Sequence, residues 1–286
     1  MLLKGKPIAD RICDQLKQKI LSSTASPGFA SVLIGKDPIS EIYAHKKIKH
    51  ATAMGMTSKL YHLPSDAPLT NILKLIRKLN TDASVHGISI QLPLPKHLDN
   101  DTIIQEVSPD KDVEFLHPMN MGKLLLGQLH PYVPCIPGAI IELFNYYDIS
   151  LQESHVAIMG SSSLVSKPLA AMLMQKHLTI STITIFPTSS KVRADMLKTT
   201  DILISAFGIP LFVKEHMLSP HTIVIDAGVS YIEGDHTTKY TPIGDVEFNT
   251  VITKCRAISP VLDGIEPVAI AMLMKNIWES YQQSSS

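Results

Sequence analysis

The sequence predicts an α/β protein of two αβ domains: an N-terminal domain with a parallel sheet and a Rossmann-like second domain, with a C-terminal helix returning to the first. Three observations predict it. Helical apolar stripes alternate with short apolar runs over residues 8–90. A proline-rich region from Pro93 through Pro137 then interrupts the rhythm, and the same alternation resumes beyond it. Ile8, Ile12, Leu16 and Ile20 recur every four residues and make the first helix. Phe29 to Ile34, bounded by Gly28 and Gly35, reads as a buried strand; a helix follows from Pro38 to about Met54, and a weaker strand around Ser58 to His62. Leu69, Ile72, Leu73, Ile76 and Leu79 make another helix, and Val85 to Ile90 another strand. After the proline-rich junction, Ile140, Ile141, Phe144 and Tyr147 mark a helix, and strands are expected at Val156–Met159, Thr182–Phe186, Asp201–Ala206 and Thr222–Asp226. The last helix runs from Pro267 to about Gln282, with a fraying serine tail. The expected domains are residues 1–136 completed by 260–286, and residues 137–259.

Composition narrows the function. The chain has 286 residues, 45% hydrophobic and 18% charged, which excludes disorder and a coiled rod. Lys plus Arg and Asp plus Glu both total 26, so there is no cationic surplus for nucleic acid or anionic lipid. Neither the first residues nor the run Val268 to Met274 is long and apolar enough for a signal peptide or a bilayer span, so no membrane association is expected. Cys13, Cys135 and Cys255 form no CxxC pair and read as reduced thiols in a cytoplasm. The 12 histidines show no HxxxH spacing, and no metal site is expected.

Three constellations can carry chemistry. In IMGSSSLVSKP (158–168) a strand empties into Gly160, Ser161 and Ser162, and a helix opens near Val165. Unpaired amides at such a turn suit a pyrophosphate, although an ordinary strand-to-helix turn reads the same. Residues 179–190 contain no acid to bind a ribose hydroxyl; Thr188, Ser189 and Ser190, then Lys191 and Arg193, suit a 2′-phosphate, so NADP is expected over NAD. Tyr43 and Lys47 share a helix face, where the cation can lower the phenol's pKa or burial the amine's; taken alone, the pair reads first as a solvated face. A short-chain dehydrogenase would place its Tyr and Lys after the glycine turn, and here they precede it. Gln91, in QLPLP after a strand, sits where ligands bind in open α/β sheets and offers a donor and an acceptor.

Taken in order, GKDPISEIYAHKK (35–47), GISIQLPLP (87–95), PDKDVEFLHPMNMGKL (109–124), PCIPG (134–138), GSSSLVSKP (160–168), DILISAFGIP (201–210), VIDAGV (224–229), GDV (244–246) and SPVLDGIEPV (259–268) resemble the bifunctional methylenetetrahydrofolate dehydrogenase/cyclohydrolase family across the whole chain. The resemblance implies NADP-dependent oxidation of 5,10-methylenetetrahydrofolate and hydrolysis of the methenyl product, in a cytoplasmic homodimer of one-carbon metabolism and purine biosynthesis. It implies that Lys47, Tyr43 and Gln91 are catalytic. Substrate would be held by Tyr43, Lys47, Gln91, Glu114, Asp263, Gly264 and Pro267, in a cleft where the domains meet. The cofactor would be held by Gly160, Ser161, Ser162, Ser166, Thr188, Ser189, Lys191, Ala206, Gly208 and Val229. The chain departs from the family in Glu114-Phe115, where an Asp-Gly pair is usual, in Ile136–Ala139, in Leu262–Glu266, and in Ser166 and Pro187. A shikimate-type NADP dehydrogenase and a catalytically impaired dinucleotide-binding homologue are the alternatives; the first would need a lysine-aspartate dyad that the sequence does not place.

Overall fold

The computed structural model describes residues 1–128, 130–175, 180–189, 191–192, 194–233 and 240–284. Contacts divide the chain into two compact units, Asp10–Cys135 with Ile270–Ser286, and Met1–Ala9 with Ile136–Ala269. In chain order the first elements are α1 (Lys6–Leu21), β1 (Gly28–Ile34), α2 (Pro38–Ala53), β2 (Thr57–Leu63), α3 (Leu69–Thr81), β3 (Gly87–Ile90), α4 (Asn100–Glu106) and α5 (Pro118–Leu125).

In the unit holding residues 10–135, β1, β2 and β3 form a parallel sheet in the order β2-β1-β3. β1 and β3 are buried along their whole length, as strands covered on both faces are, which is why they read as unbroken apolar runs. α3 lays Ile72, Ile76 and Leu79 against Val32, Ile34, Ile88 and Ile90, each such side chain contributing about 1.5–3 kcal/mol on burial. α2 starts where Asp37 accepts a hydrogen bond from the Ser40 amide (2.8 Å) and Pro38 supplies the first turn. The expected strand from Val85 is shorter, because pairing with β1 begins only at Phe29 opposite Gly87. The proline-rich region contains α4 and α5 and belongs entirely to this unit up to Cys135; Pro118 opens a helix there, a position where its missing donor is harmless.

The remaining elements are α6 (Cys135–Tyr146), β4 (His155–Met159), α7 (Ser166–Leu173), β5 (Thr182–Phe186), α8 (Ala194–Leu197), β6 (Ile202–Ser205), β7 (Ile223–Asp226), β8 (Ser230–Glu233), β9 (Tyr240–Ile243), α9 (Phe248–Lys254), β10 (Ala257–Ile258) and α10 (Ile265–Ser284). A five-stranded parallel sheet has the order β10-β7-β6-β4-β5, so the direction of winding reverses between β4 and β6. That is where a doubly wound sheet opens its crevice. Register aligns Met159 with Phe186 and Ser205, and Ser205 with Asp226, so the carboxyl ends finish level. β8 and β9 form an antiparallel ribbon.

The first nine residues join this second unit. Leu2 bridges Ile258 in parallel, the Leu3 amide donates to the Ile258 carbonyl (2.9 Å), and Leu3 is buried, so the start of the chain extends the sheet beside β10. Residues 260–269 lie in the same unit, and α1 and α10 each contain one of the division points. Among the described residues no helix is long and apolar enough to cross a membrane.

Candidate active site

Lys47 lies on α2, one turn after Tyr43 on the same face, and Tyr43 is half-buried. β3 places Ser89 two residues before Gln91, hence on one side of the strand, and register sets Ser31 of β1 opposite Ser89. Ser31, Ser89 and Gln91 are all buried, so each polar atom needs a partner. The Gln91 Nε2 donates to Ser89 Oγ (2.7 Å) and Ser31 Oγ (3.2 Å), which turns Oε1 toward the lysine. The Lys47 Nζ donates to Gln91 Oε1 (3.3 Å), Ser89 Oγ (3.4 Å) and Glu114 Oε1, and the Ser89 hydroxyl also donates to Glu114 Oε1. Of the three residues expected to be catalytic, Lys47 and Gln91 thus form one network with Glu114, and Tyr43 lies beside it on the helix. The Lys47 and Glu114 side chains are each 15% exposed, so the pair is sheltered but reachable.

Glu114 is held there by its own turn. The segment at Asp112 bridges Ile88 of β3 in parallel. The Asp112 carboxylate accepts from the Leu116 amide (3.0 Å), the His117 amide (2.8 Å) and Asn120 Nδ2 (2.9 Å). Burial, opposed by these donors, pushes the Asp112 carboxyl up to about 6. Phe115 adopts a left-handed φ of 63° where a glycine would be relaxed, and its buried ring packs edge-on against His130 (5.0 Å). From α10, Asn276 Nδ2 donates to the Val113 and Val133 carbonyls, both at 2.8 Å. Burial raises the Cys135 thiol well above its ordinary range, so it stays protonated beside this network.

In the other unit, β4 ends at Gly160, whose φ is 118°. A β-carbon there would collide with the Ala206 carbonyl and crowd Ser166 Oγ (2.9 Å), so only glycine makes this turn. Ser161 and Ser162 are exposed; the Ser162 hydroxyl caps the turn by accepting from the Val165 amide (3.1 Å). Ser166 is buried behind Gly160, and its Oγ has no protein partner among the described residues. Thr188, Ser189 and Lys191 are exposed beyond β5, whereas Ser190 and Arg193 lie outside the described residues. Ala206 and Gly208 follow β6, and Val229 follows β7. Gly208, at φ 73°, has open space where a side chain would be. Asp263, Gly264 and Pro267 belong to this second unit at the start of α10; the Asp263 carbonyl accepts from the Gly5 amide (2.6 Å), and Gly264 is packed against Pro260.

Two family models cover nearly the whole chain: tetrahydrofolate dehydrogenase/cyclohydrolase, catalytic domain, matches residues 3–114, and the NAD(P)-binding domain of the same enzymes matches residues 134–285. The chain belongs to the tetrahydrofolate dehydrogenase/cyclohydrolase family. The bifunctional protein FolD of Chlamydia felis is 57% identical over 287 residues, with 100% of both chains covered, and that of Chlamydia pneumoniae is 53% identical over 286 residues, again with 100% of both covered. The bifunctional enzyme FolD from Campylobacter jejuni superposes with a TM-score of 0.91 at 33% identity, covering 99% of each chain. The Trypanosoma brucei enzyme, solved with NADP cofactor and an inhibitor, gives 0.94 at 26% identity, covering 100% of this chain and 98% of that one.

Sequence reasoning missed four residues that shape this family's site here. Ser31 and Ser89 are hydroxyls inside otherwise apolar strands, and that interruption was the available signal. Asp112 and Asn276 are polar residues that the structure buries. Asn276 stands among apolar α10 positions, a signal of an internal partner, but nothing local says which carbonyls it meets.

Proposed function

We propose that this protein oxidises 5,10-methylenetetrahydrofolate to 5,10-methenyltetrahydrofolate with NADP and hydrolyses the product to 10-formyltetrahydrofolate. The observation that carries the reading is the Lys47 ammonium held by Gln91, Ser89 and Glu114 within the segment matched by the family's catalytic domain. We assign substrate binding to Tyr43, Lys47, Gln91 and Glu114 in the unit of residues 10–135, and cofactor binding to the β4–β7 sheet.

The residues present fit NADP. The Gly160 turn leaves no side chain between the ends of β4 and β6, Ser166 Oγ waits behind it without a partner, and Gly208 leaves open space beyond β6. Ser161 and Ser162 would bracket the pyrophosphate at the start of α7, Thr188, Ser189 and Lys191 the 2′-phosphate, and Ala206, Gly208 and Val229 the other nucleotide half. When bound, NADP supplies the hydride acceptor. The protein's part in oxidation is alignment, because the two nitrogens flanking the reacting carbon already stabilise the cation that hydride loss leaves.

Hydrolysis asks more of the side chains. Water adding to the methenyl carbon must lose a proton, and the ring nitrogen must gain one as its bond to that carbon breaks. Glu114 is the acceptor in the network and Lys47 the donor: the carboxylate takes one water proton as the hydroxyl adduct forms and passes it to solvent, the ammonium protonates the departing nitrogen, and the adduct's hydroxyl proton returns to the lysine as the formyl C=O forms, so one proton is released overall. Gln91 and Ser89 keep the lysine aimed, and Tyr43 would pack against the pterin.

Incubating the protein with 5,10-methylenetetrahydrofolate and NADP should give methenyl absorbance that rises and then decays. Lys47→Met should abolish the decay while NADP still binds; a variant that hydrolyses at the wild-type rate would refute the assignment. We further propose that the enzyme works as a homodimer in the cytoplasm, supplying formyl groups for purine biosynthesis. Exposed Ile185 on the edge strand β5 supports the first point and three cysteines that form no disulfide the second. Light scattering showing only monomer would remove the dimer.

A further inference from the structure

Two carboxylates in the second unit lie outside the chemistry described so far. Asp226 ends β7 and Asp245 follows β9; both are buried, at 2% and 0% exposure. Asp245 Oδ2 accepts from Ser205 Oγ (2.9 Å), the Phe207 amide (2.6 Å) and the Gly208 amide (3.2 Å), while its Oδ1 has no partner among the described residues. Asp226 accepts from the amides of Gly228 (3.2 Å), Asp245 (3.2 Å) and Val246 (3.0 Å). Each carboxyl lies over a glycine: a β-carbon on Gly228 would enter the Asp245 carboxyl, and one on Gly244 the Asp226 carboxyl. The two acids therefore tie together the loop after β6, the loop after β7 and the segment 244–246.

The tie has an uncommon charge. The carboxyls accept only from the Ser205 hydroxyl and from backbone amides, while the Ser259 hydroxyl accepts from the Asp226 amide; among the described residues no Lys, Arg or His hydrogen-bonds or pairs with either acid. Two ionised carboxylates so placed repel in a medium that screens poorly, so the favoured state keeps one proton. In keeping with this, Asp226 is pushed up to about 7, first by burial and then by the charge of Asp245. The loops held from behind are those that present Ala206, Gly208 and Val229, and Gly208 turns its open side away from the Asp245 contact.

We infer that Asp226 and Asp245 are a positioning pair for the dinucleotide, carrying one negative charge between them and fixing the β6 and β7 loops on which one half of the cofactor rests. The inference rests on the NADP reading above. Adding the second charge should drive these loops apart, so cofactor affinity falls as the pair ionises fully.

The test is NADP binding by calorimetry from about pH 6.5 to 8.5, on wild type, Asp226→Asn and Asp245→Asn, beside hydrolysis of methenyltetrahydrofolate, which uses no dinucleotide. Wild-type affinity should weaken several-fold across this range, and Asp226→Asn, neutral throughout, should lose that dependence. Asp245→Asn should weaken binding at least about tenfold with hydrolysis within about twofold of wild type. Unchanged affinity and pH dependence in both variants would overturn the inference. So would hydrolysis falling in step with binding, since that marks general unfolding rather than loop placement. Wild-type protein that binds no NADP at any pH would instead remove the cofactor reading, and this inference with it.

Discussion

Among the described residues, the buried polar network around Lys47 contains one cation and one carboxylate, joined by Gln91 and two serines, and that around Asp226 contains two carboxylates, two serines and no cation. The first is neutral as a whole and 15% of each charged side chain reaches solvent, so protons can enter and leave with the substrate. The second is sealed, and burial pushes Asp226 up to about 7. The proposed chemistry calls for a charge pair that solvent can reach, the proposed loop positioning for one that it cannot. Variants that move one network without the other are the means of breaking the comparison.

The largest effect is expected from Glu114→Gln, which keeps the size of the side chain and removes the acceptor beside Lys47. Hydrolysis should fall by on the order of 10²–10⁴-fold, the usual worth of a positioned acid or base, while NADP affinity stays at the wild-type value. The decay of methenyl absorbance reads the first and calorimetry the second; undiminished decay would mean that the carboxylate only steers the lysine.

Gly160→Ala reverses the pattern. With φ at 118° and the Ala206 carbonyl in the way, the new methyl group must push the β4 turn from the β6 loop. Strain of about 1–3 kcal/mol corresponds to roughly 10- to 100-fold weaker NADP binding, with hydrolysis retained. Loss of both activities together would show that the turn supports more than the cofactor.

Asn276→Ala should act on the Lys47 side through stability. It leaves the Val113 and Val133 carbonyls without their 2.8 Å donors, at about 1–3 kcal/mol. The unfolding midpoint should drop, and the folate KM should rise because the Glu114 turn loses its brace; an unmoved midpoint would show that water replaces the amide.

Much of this architecture was legible before the structure. Periods of 3.6 and short apolar runs located α1–α3 and β1–β7, because those segments bury one stripe or both faces over enough residues to leave a pattern. α4, α5 and α9 have only seven or eight residues, and β10 has two; nothing that short carries a period, and the prolines around α5 read as breakers when one of them is its first turn. The site divides likewise. Lys47, Gln91 and Glu114 were legible through motif order, but the role of Asp226 was not, since its partners lie up to 20 residues away and its meaning comes from the missing cation rather than from any spacing.

The last expected effect is a slope, and it sharpens the comparison of the two buried acids. Asp112 is raised to about 6 and Asp226 to about 7, both mainly by burial, from an ordinary value of 3.8. A raised carboxyl binds its proton more tightly in the folded chain, so each contributes stability at low pH that is lost as pH climbs through the folded value. The window opens near 4 for both and closes near 6 for Asp112 and near 7 for Asp226. His86, His117 and His130, lowered by burial, slope the opposite way over an overlapping range, so the wild-type curve alone mixes the two. Subtracting it from the Asp226→Asn and Asp112→Asn curves isolates each acid. The midpoint of either variant should gain on wild type as pH rises, with the Asp112→Asn gain complete about one pH unit before that of Asp226→Asn. A flat difference for Asp226→Asn would mean that Asp226 is ionised throughout, and that two buried negative charges coexist behind the cofactor loops.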